Sequence, residues 1–203
     1  MKDKNIIFLD IDGVLNCQLF YEKMHREKII ASDIPAYKQV KKQLRKSAKR
    51  EEMGREQYYK EQLCPTRMEW LNQLCLETNS VVVISSTWRS GKTVDELQKT
   101  LNNSGATFTI IDKTGHNESR VRGVEIWEWM DKNITKDTWG DHAHDFERYA
   151  IIDDDSDMML WQAKHFFQTD SYSGLTPSTC YKIKRFLTKR AFEATEKNEP
   201  IQN

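Results

Sequence analysis

Residues 6–16 read IIFLDIDGVLN: an apolar run, Ile6 to Leu9, that ends in two aspartates one residue apart and a glycine. Four apolar residues closed by an Asp-Gly turn are too short for a helix and predict a buried strand. Asp10 and Asp12 at its end repel each other unless positive charge sits between them, and a bound cation is the simplest source of it. Two further apolar runs end in polar clusters in the same way. Val81 to Ile84 leads into Ser85-Ser86-Thr87, and Tyr149 to Ile152 leads into Asp153-Asp154-Asp155.

Helical patterns separate these runs. Thr66-Arg67-Met68-Glu69 reads as a capping box opening a helix to about Thr78, and Thr93-Val94-Asp95-Glu96 opens a second that stops near Asn103-Ser104-Gly105. Thr107 to Ile111 alternates as a strand. Gly123 to Lys132 predicts a helix with Val124, Trp127 and Met130 inward and Trp129 on its flank, and Phe166-Phe167 belongs to one more strand. Thr176-Pro177 starts a last helix, to about Ala194, with proline where its missing N–H does no harm and Tyr181, Lys184 and Leu187 at helical spacing. Strands alternating with helices predict an α/β fold, a doubly wound parallel sheet with helices on both faces. Such sheets bind ligands outside the carboxyl ends of their strands, so the three polar clusters should meet at one edge.

The 203 residues suffice for one α/β core, residues 1–16 and 65–203, carrying an insertion at 17–64. That insertion has a single proline and a single glycine, and a thin apolar stripe at Tyr37, Val40, Leu44 and Ala48 predicts helices. Although 31 basic and 31 acidic residues cancel overall, Lys38 to Lys60 holds nine Lys/Arg against three Glu. It reads either as a solvated helical hairpin laced by ion pairs or as a small cap whose basic face draws an anionic substrate toward an acidic edge. No run approaches the roughly 18 to 20 apolar residues of a membrane span, and no signal peptide is visible, so the expectation is a cytoplasmic protein with no obligate protein partner. Cys17, Cys64, Cys75 and Cys180 form no CxxC pair and are expected to be reduced thiols.

Oxygen-rich clusters suit a hard divalent cation, and Mg2+ uses one or two carboxylates while leaving positions for phosphate oxygens. Asp10 and Asp153 supply such a partial shell, with Asp154 as the other candidate ligand after that strand. A carboxylate so placed can attack phosphorus, and Asp10, held at the strand end, is the better nucleophile. Asp12 can protonate the leaving oxygen and then activate water. Ser85, or Ser86, can donate to the transferring oxygens, and Arg122, Lys113 and Arg89 are candidate cations, Arg122 preferred because a helix start at the active edge aims it inward. Trp88 and Arg89 could stack a base and hold a phosphate, although packing is the commoner role of such a tryptophan. His142-Ala143-His144 lacks a third ligand at convincing spacing and reads as a polar loop.

The set resembles the haloacid dehalogenase (HAD) superfamily, whose phosphatases carry a DxD motif after the first strand, a Ser or Thr after the second, a Lys or Arg before the fourth and acidic residues after it. FLDIDGVLN, VVVISSTWR, RGVEIWEWM, YAIIDDDSDM and TDSYSGLT together are similar to the HAD branch of Swiss Army Knife RNA repair proteins, over residues 5–16 and 65–176. The resemblance implies Asp10 and Asp12 as catalytic carboxylates, Ser85 and Arg122 as their partners, and a metal shell drawn from Asp10, Asp12, Asp153, Asp154 and Asp157. Asp153 and Asp157 share the D-x-x-x-D spacing of the superfamily. It implies a Mg2+-dependent phosphatase acting on a nucleotide or an RNA or DNA end. The alternatives are a phosphatase of another small metabolite and a non-catalytic nucleotide- or nucleic-acid-binding module on the same fold.

Overall fold

The computed structural model describes residues 1–32 and 62–198. The insertion's stripe at Tyr37, Val40, Leu44 and Ala48 lies outside them. Five strands, β1 (Asn5–Leu9), β2 (Ser80–Ile84), β3 (Ile110–Lys113), β4 (Tyr149–Asp153) and β5 (Phe166–Gln168), form one parallel sheet in the order β3-β2-β1-β4-β5. The opening stretch is therefore the central strand, fully buried, with Leu9 level with Ile84 on one side and Ile152 on the other. Five α-helices accompany it among the described residues: α1 (Gln18–Ser32), α2 (Pro65–Glu77), α3 (Val94–Asn103), α4 (Arg122–Asn133) and α5 (Pro177–Asn198).

Strand alternation divides the core in two. Ile7, Leu9, Val82, Ile84, Ala150 and Ile152 face α2, α3 and α5, whereas Ile6, Phe8, Val81, Val83 and Ile151 face α4 and the segment from Ile134 to Phe146. A sheet buried on both faces is what near-continuous apolar strands require.

The helix starts differ from expectation in one place. The Thr93 box forms, Thr93 Oγ1 accepting from the Glu96 amide at 3.2 Å while the Thr93 amide donates to Glu96 Oε2 at 2.7 Å. The Thr66 box does not. Pro65, with φ already helical, occupies the first position of α2, so Thr66 falls inside the first turn and Cys64 takes the cap position without a side-chain bond to the helix amides. At α5, Thr176 Oγ1 accepts from the Thr179 amide at 3.1 Å. Ile183 and Leu187 are its buried residues, Tyr181 is exposed and Lys184 pairs with Glu77 at 3.0 Å.

Two more corrections concern phase. The third strand begins at Ile110 rather than Thr107, because the Thr107 amide is taken by Asn72 Oδ1 at 2.8 Å, although Phe108 and Ile110 are buried as the alternation requires. On α4 the core residues are Ile126, Trp129 and Met130, while Val124 and Trp127 are half-buried. Gly123 sets this rotation. A Cβ there would lie 2.4 Å from the Met159 backbone nitrogen, so this side of the helix start abuts the 158–162 segment.

Candidate active site

The carboxyl ends of β1, β2 and β4 meet at one edge, and each delivers its polar cluster there. After β1, Gly13 adopts φ +68, and a Cβ at this position would come within 2.2 Å of the Asp154 carboxylate. Glycine thus serves both the turn and the close approach of two acidic loops. Asn16 closes the turn: its Oδ1 accepts from the Gly13 amide at 3.0 Å, and its Nδ2 donates to Asp12 Oδ1 at 2.7 Å. Asp10 is buried and Asp12 is exposed.

The cation at this edge is Arg122. Its Nη2 lies 3.5 Å from Asp10 Oδ1 and its Nε 3.4 Å from Asp153 Oδ2, so one guanidinium spans the ends of β1 and β4. Nη1 of Arg122 is buried without a hydrogen-bond partner among the described residues. Asp157 does not join the acidic group. Its Oδ2 accepts from the Arg122 backbone amide at 2.7 Å and its carbonyl from the Gly123 amide at 3.1 Å, which ties the start of α4 to the loop after β4. Gln162, which sequence reasoning did not single out, completes the tie from a fully buried position. It accepts from the Met159 amide and donates to the Gly123 carbonyl, both at 2.9 Å.

The turn after β2 redistributes four expected roles. Ser86, rather than Ser85, bonds Asp10 through its hydroxyl, and it also accepts from the Trp88 amide at 3.4 Å. Ser85 is fully buried, its hydroxyl without a hydrogen bond among the described residues. Trp88 turns its indole N–H to Asp12, 3.1 Å from each carboxylate oxygen, instead of presenting an edge to substrate. Arg89 is engaged internally. It donates to the carbonyls of Ser85, Thr114 and Gly115 and pairs with buried Glu125 at 2.5 Å. Lys113 likewise donates to the carbonyls of Arg89 and Lys92, which fold its ammonium onto the turn.

Among the described residues, Asp10, Asp153 and Asp154 form a group whose ligand oxygens lie within 4.8 Å of one another; Asp12 and Asp157 are not part of it. Burial pushes the Asp10 carboxyl up to about 6 against the opposing pull of Arg122 and the Ser86 hydrogen bond. Burial and the Asp10 charge push Asp153 up to about 7, again against Arg122. Burial also raises Asp154. One arginine therefore does not neutralise the group. Among the described residues Asp153 Oδ2 is moreover buried without a hydrogen bond, its contact with Arg122 being an ion pair only. These all-oxygen donors, short of positive charge, fit a hard divalent cation such as Mg2+. His142 and His144 stack on each other, centroids 5.8 Å apart, and neither belongs to that group.

A family model described as the HAD domain in Swiss Army Knife RNA repair proteins matches residues 6–180. The chain belongs to this family. HAD membership fits the five-stranded parallel sheet and supports a hydrolase of the phosphatase type, and Mg2+ is the metal that HAD domains generally use. No curated protein and no solved structure matches the chain. Among the described residues of this HAD domain, no helix is long and apolar enough to cross a membrane.

Proposed function

We propose that this HAD domain is a Mg2+-dependent phosphatase that hydrolyses a phosphomonoester of a nucleotide or of an RNA or DNA end through an aspartyl-phosphate on Asp10. The observation that carries the reading is the shared guanidinium of Arg122 between Asp10 and Asp153, at the end of the central strand. Asp10 is held by its strand, its amide donating to the Ile152 carbonyl at 2.9 Å, which limits its freedom before attack. Mg2+ held by Asp10, Asp153 and Asp154 would draw charge from the phosphoryl oxygens. Arg122, with an Nη1 that has no other partner among the described residues, offers a donor to the same oxygens as negative charge develops on them. Asp12 lies on the exposed side, where the leaving group departs and water enters, and serves as acid and then as base.

A cleft of about 540 Å³ opens beside Asp12 and Asp154 and is lined on α1 by Gln18, Tyr21, Glu22 and His25. It supports a leaving group larger than a hydroxyl, consistent with a nucleoside or an oligonucleotide end. Residues 17–64, of which α1 is the described beginning, act in this reading as a cap, and the basic run at 38–60 attracts the anionic substrate.

The test is release of inorganic phosphate, with Mg2+, from nucleoside 3′- and 5′-monophosphates, phosphorylated oligonucleotides and sugar phosphates. Turnover is expected on a nucleotide or oligonucleotide member, lost in Asp10→Asn with the melting temperature preserved. Phosphate release that survives in Asp10→Asn would remove the mechanism. Salt-sensitive nucleic-acid binding without turnover would favour a binding module instead.

A further inference from the structure

Asp12 is clamped from two directions that the proposed mechanism does not itself require. Oδ1 accepts from Asn16 Nδ2 at 2.7 Å and from Trp88 Nε1 at 3.1 Å, whereas Oδ2 accepts, among the described residues, only from Trp88 Nε1, also at 3.1 Å. An ionised carboxylate has about four acceptor sites. Trp88 thus bridges both oxygens, and Asn16 alone loads Oδ1 more heavily than Oδ2. Both donors are themselves fixed. Asn16 is buried and receives the Gly13 amide. Trp88 is held by its amide on Ser86 Oγ, by Lys92 Nζ on its carbonyl at 3.0 Å, and by packing of its ring against the core and beneath Lys92, 5.6 Å from the centroid.

We propose that Trp88 and Asn16 are positioning residues that fix the plane of the Asp12 carboxylate, Trp88 bridging both oxygens and Asn16 singling out Oδ1, so that Oδ2, with the fewer donors, is the oxygen that exchanges the proton, an inference that rests on the phosphatase reading above. In the first step the bond between Asp10 and phosphorus forms as the P–O bond to the leaving group breaks, and the proton on Oδ2 passes to that leaving oxygen. In the second step a water O–H breaks toward Oδ2 while the water oxygen bonds phosphorus and the Asp10 carboxylate departs with its electron pair. Each transfer needs the same oxygen at the same place, first as donor and then as acceptor. A carboxylate free to rotate would present either oxygen. The single turn Ser86–Arg89 therefore addresses both aspartates, Ser86 touching Asp10 and Trp88 touching Asp12.

Trp88→Phe keeps the packed ring and removes the N–H; Asn16→Ala removes the second donor. The probes are phenyl phosphate and 4-nitrophenyl phosphate, of nearly one shape but with phenoxide the more basic leaving group. In Trp88→Phe, kcat on phenyl phosphate should fall by roughly 10- to 100-fold, within the range of general acid catalysis. The fall on 4-nitrophenyl phosphate should be smaller, and KM should stay within about twofold, because the interaction removed acts in the transition state. Equal losses on both probes, or none, overturn the proposal. A second readout is independent of turnover. The indole N–H resonance of Trp88 in 15N-labelled protein, recognised by its absence in Trp88→Phe, should move on Asp12→Ala, and an unmoved resonance also overturns it. Wild-type protein inactive on every member of the phosphate panel, with the resonance moving as expected, overturns the phosphatase reading and the proton-transfer role together while leaving the contact itself established.

Discussion

Arg89 in the turn after β2 and Arg122 at the start of α4 are both arginines near one sheet edge, yet they use their donors in opposite ways. Arg89 directs its guanidinium to three backbone carbonyls and a buried glutamate; Arg122 faces two carboxylates at 3.4 and 3.5 Å and keeps one buried nitrogen without a partner among the described residues. The first arrangement is closed and can only hold structure. The second is open and can accept a further anion. What separates the two arginines here is therefore unused hydrogen-bonding capacity, not position in sequence or distance from the edge.

The largest effect expected from breaking this contrast is on folding. Arg89→Met leaves Glu125 charged in the core, and removing one partner of a buried pair costs about 3–5 kcal/mol. Urea unfolding should show that loss, and Arg89→Met combined with Glu125→Leu should recover much of it. A single variant with unchanged stability would mean the turn does not depend on the pair. The next effect is on turnover. Arg122→Ala should lower phosphate release by roughly 100- to 1000-fold, the range for a lost oxyanion donor, with a loss of urea stability smaller than that of Arg89→Met. A stability loss as large as that of Arg89→Met would erase the distinction between the two arginines.

The smallest effect concerns pH. Asp10 near 6 and Asp153 near 7 lie above the ordinary carboxyl value, so the folded protein binds more protons than the unfolded chain across this window. Without metal, stability should therefore be greatest below about pH 4 as far as these two groups decide it, and should fall as pH rises toward 7, a tenfold difference in proton affinity being worth about 1.4 kcal/mol. Urea midpoints measured in EDTA across that range would show the fall. Under the proposed function Mg2+ would bind the ionised pair, so the rise in melting temperature on exchanging EDTA for Mg2+ should be larger at pH 7.5 than at pH 5. An increment independent of pH would detach the metal from these carboxylates.

The parts of the fold visible in the sequence are those whose information is local. The apolar runs of β1, β2 and β4, each stopped by a polar cluster, announce a buried parallel sheet and the edge where its ligands gather, and the Thr93 box fixes a helix start from four adjacent residues. What escaped depends on contacts between distant segments. The face that α4 buries follows from Gly123 meeting Met159, so Trp129 rather than Trp127 is the core tryptophan. The choice of Ser86 over Ser85, the burial of Arg89 on Glu125 and the use of Asp157 to hold the Arg122 amide each require a partner that motif spacing cannot supply. Gln162 gave one faint signal, a polar residue within a stretch that also carries Met158, Met159, Leu160 and Trp161.

The place of β1 in the sheet also imposes an order in time. Ile6 is made first but pairs with Val81 and, on its other side, with Tyr149, so the strand that ends at Asp10 waits for both neighbours to be synthesised. Such long-range parallel pairing is slow, and it is the pairing of β1 with β4 that brings Asp153 beside Asp10. A nascent chain carrying only β1 to β3 has Asp10 but neither Arg122 nor Asp153. The acidic group and its arginine therefore come together only once β4 has joined the sheet, and under the proposed function a shorter chain would be chemically silent.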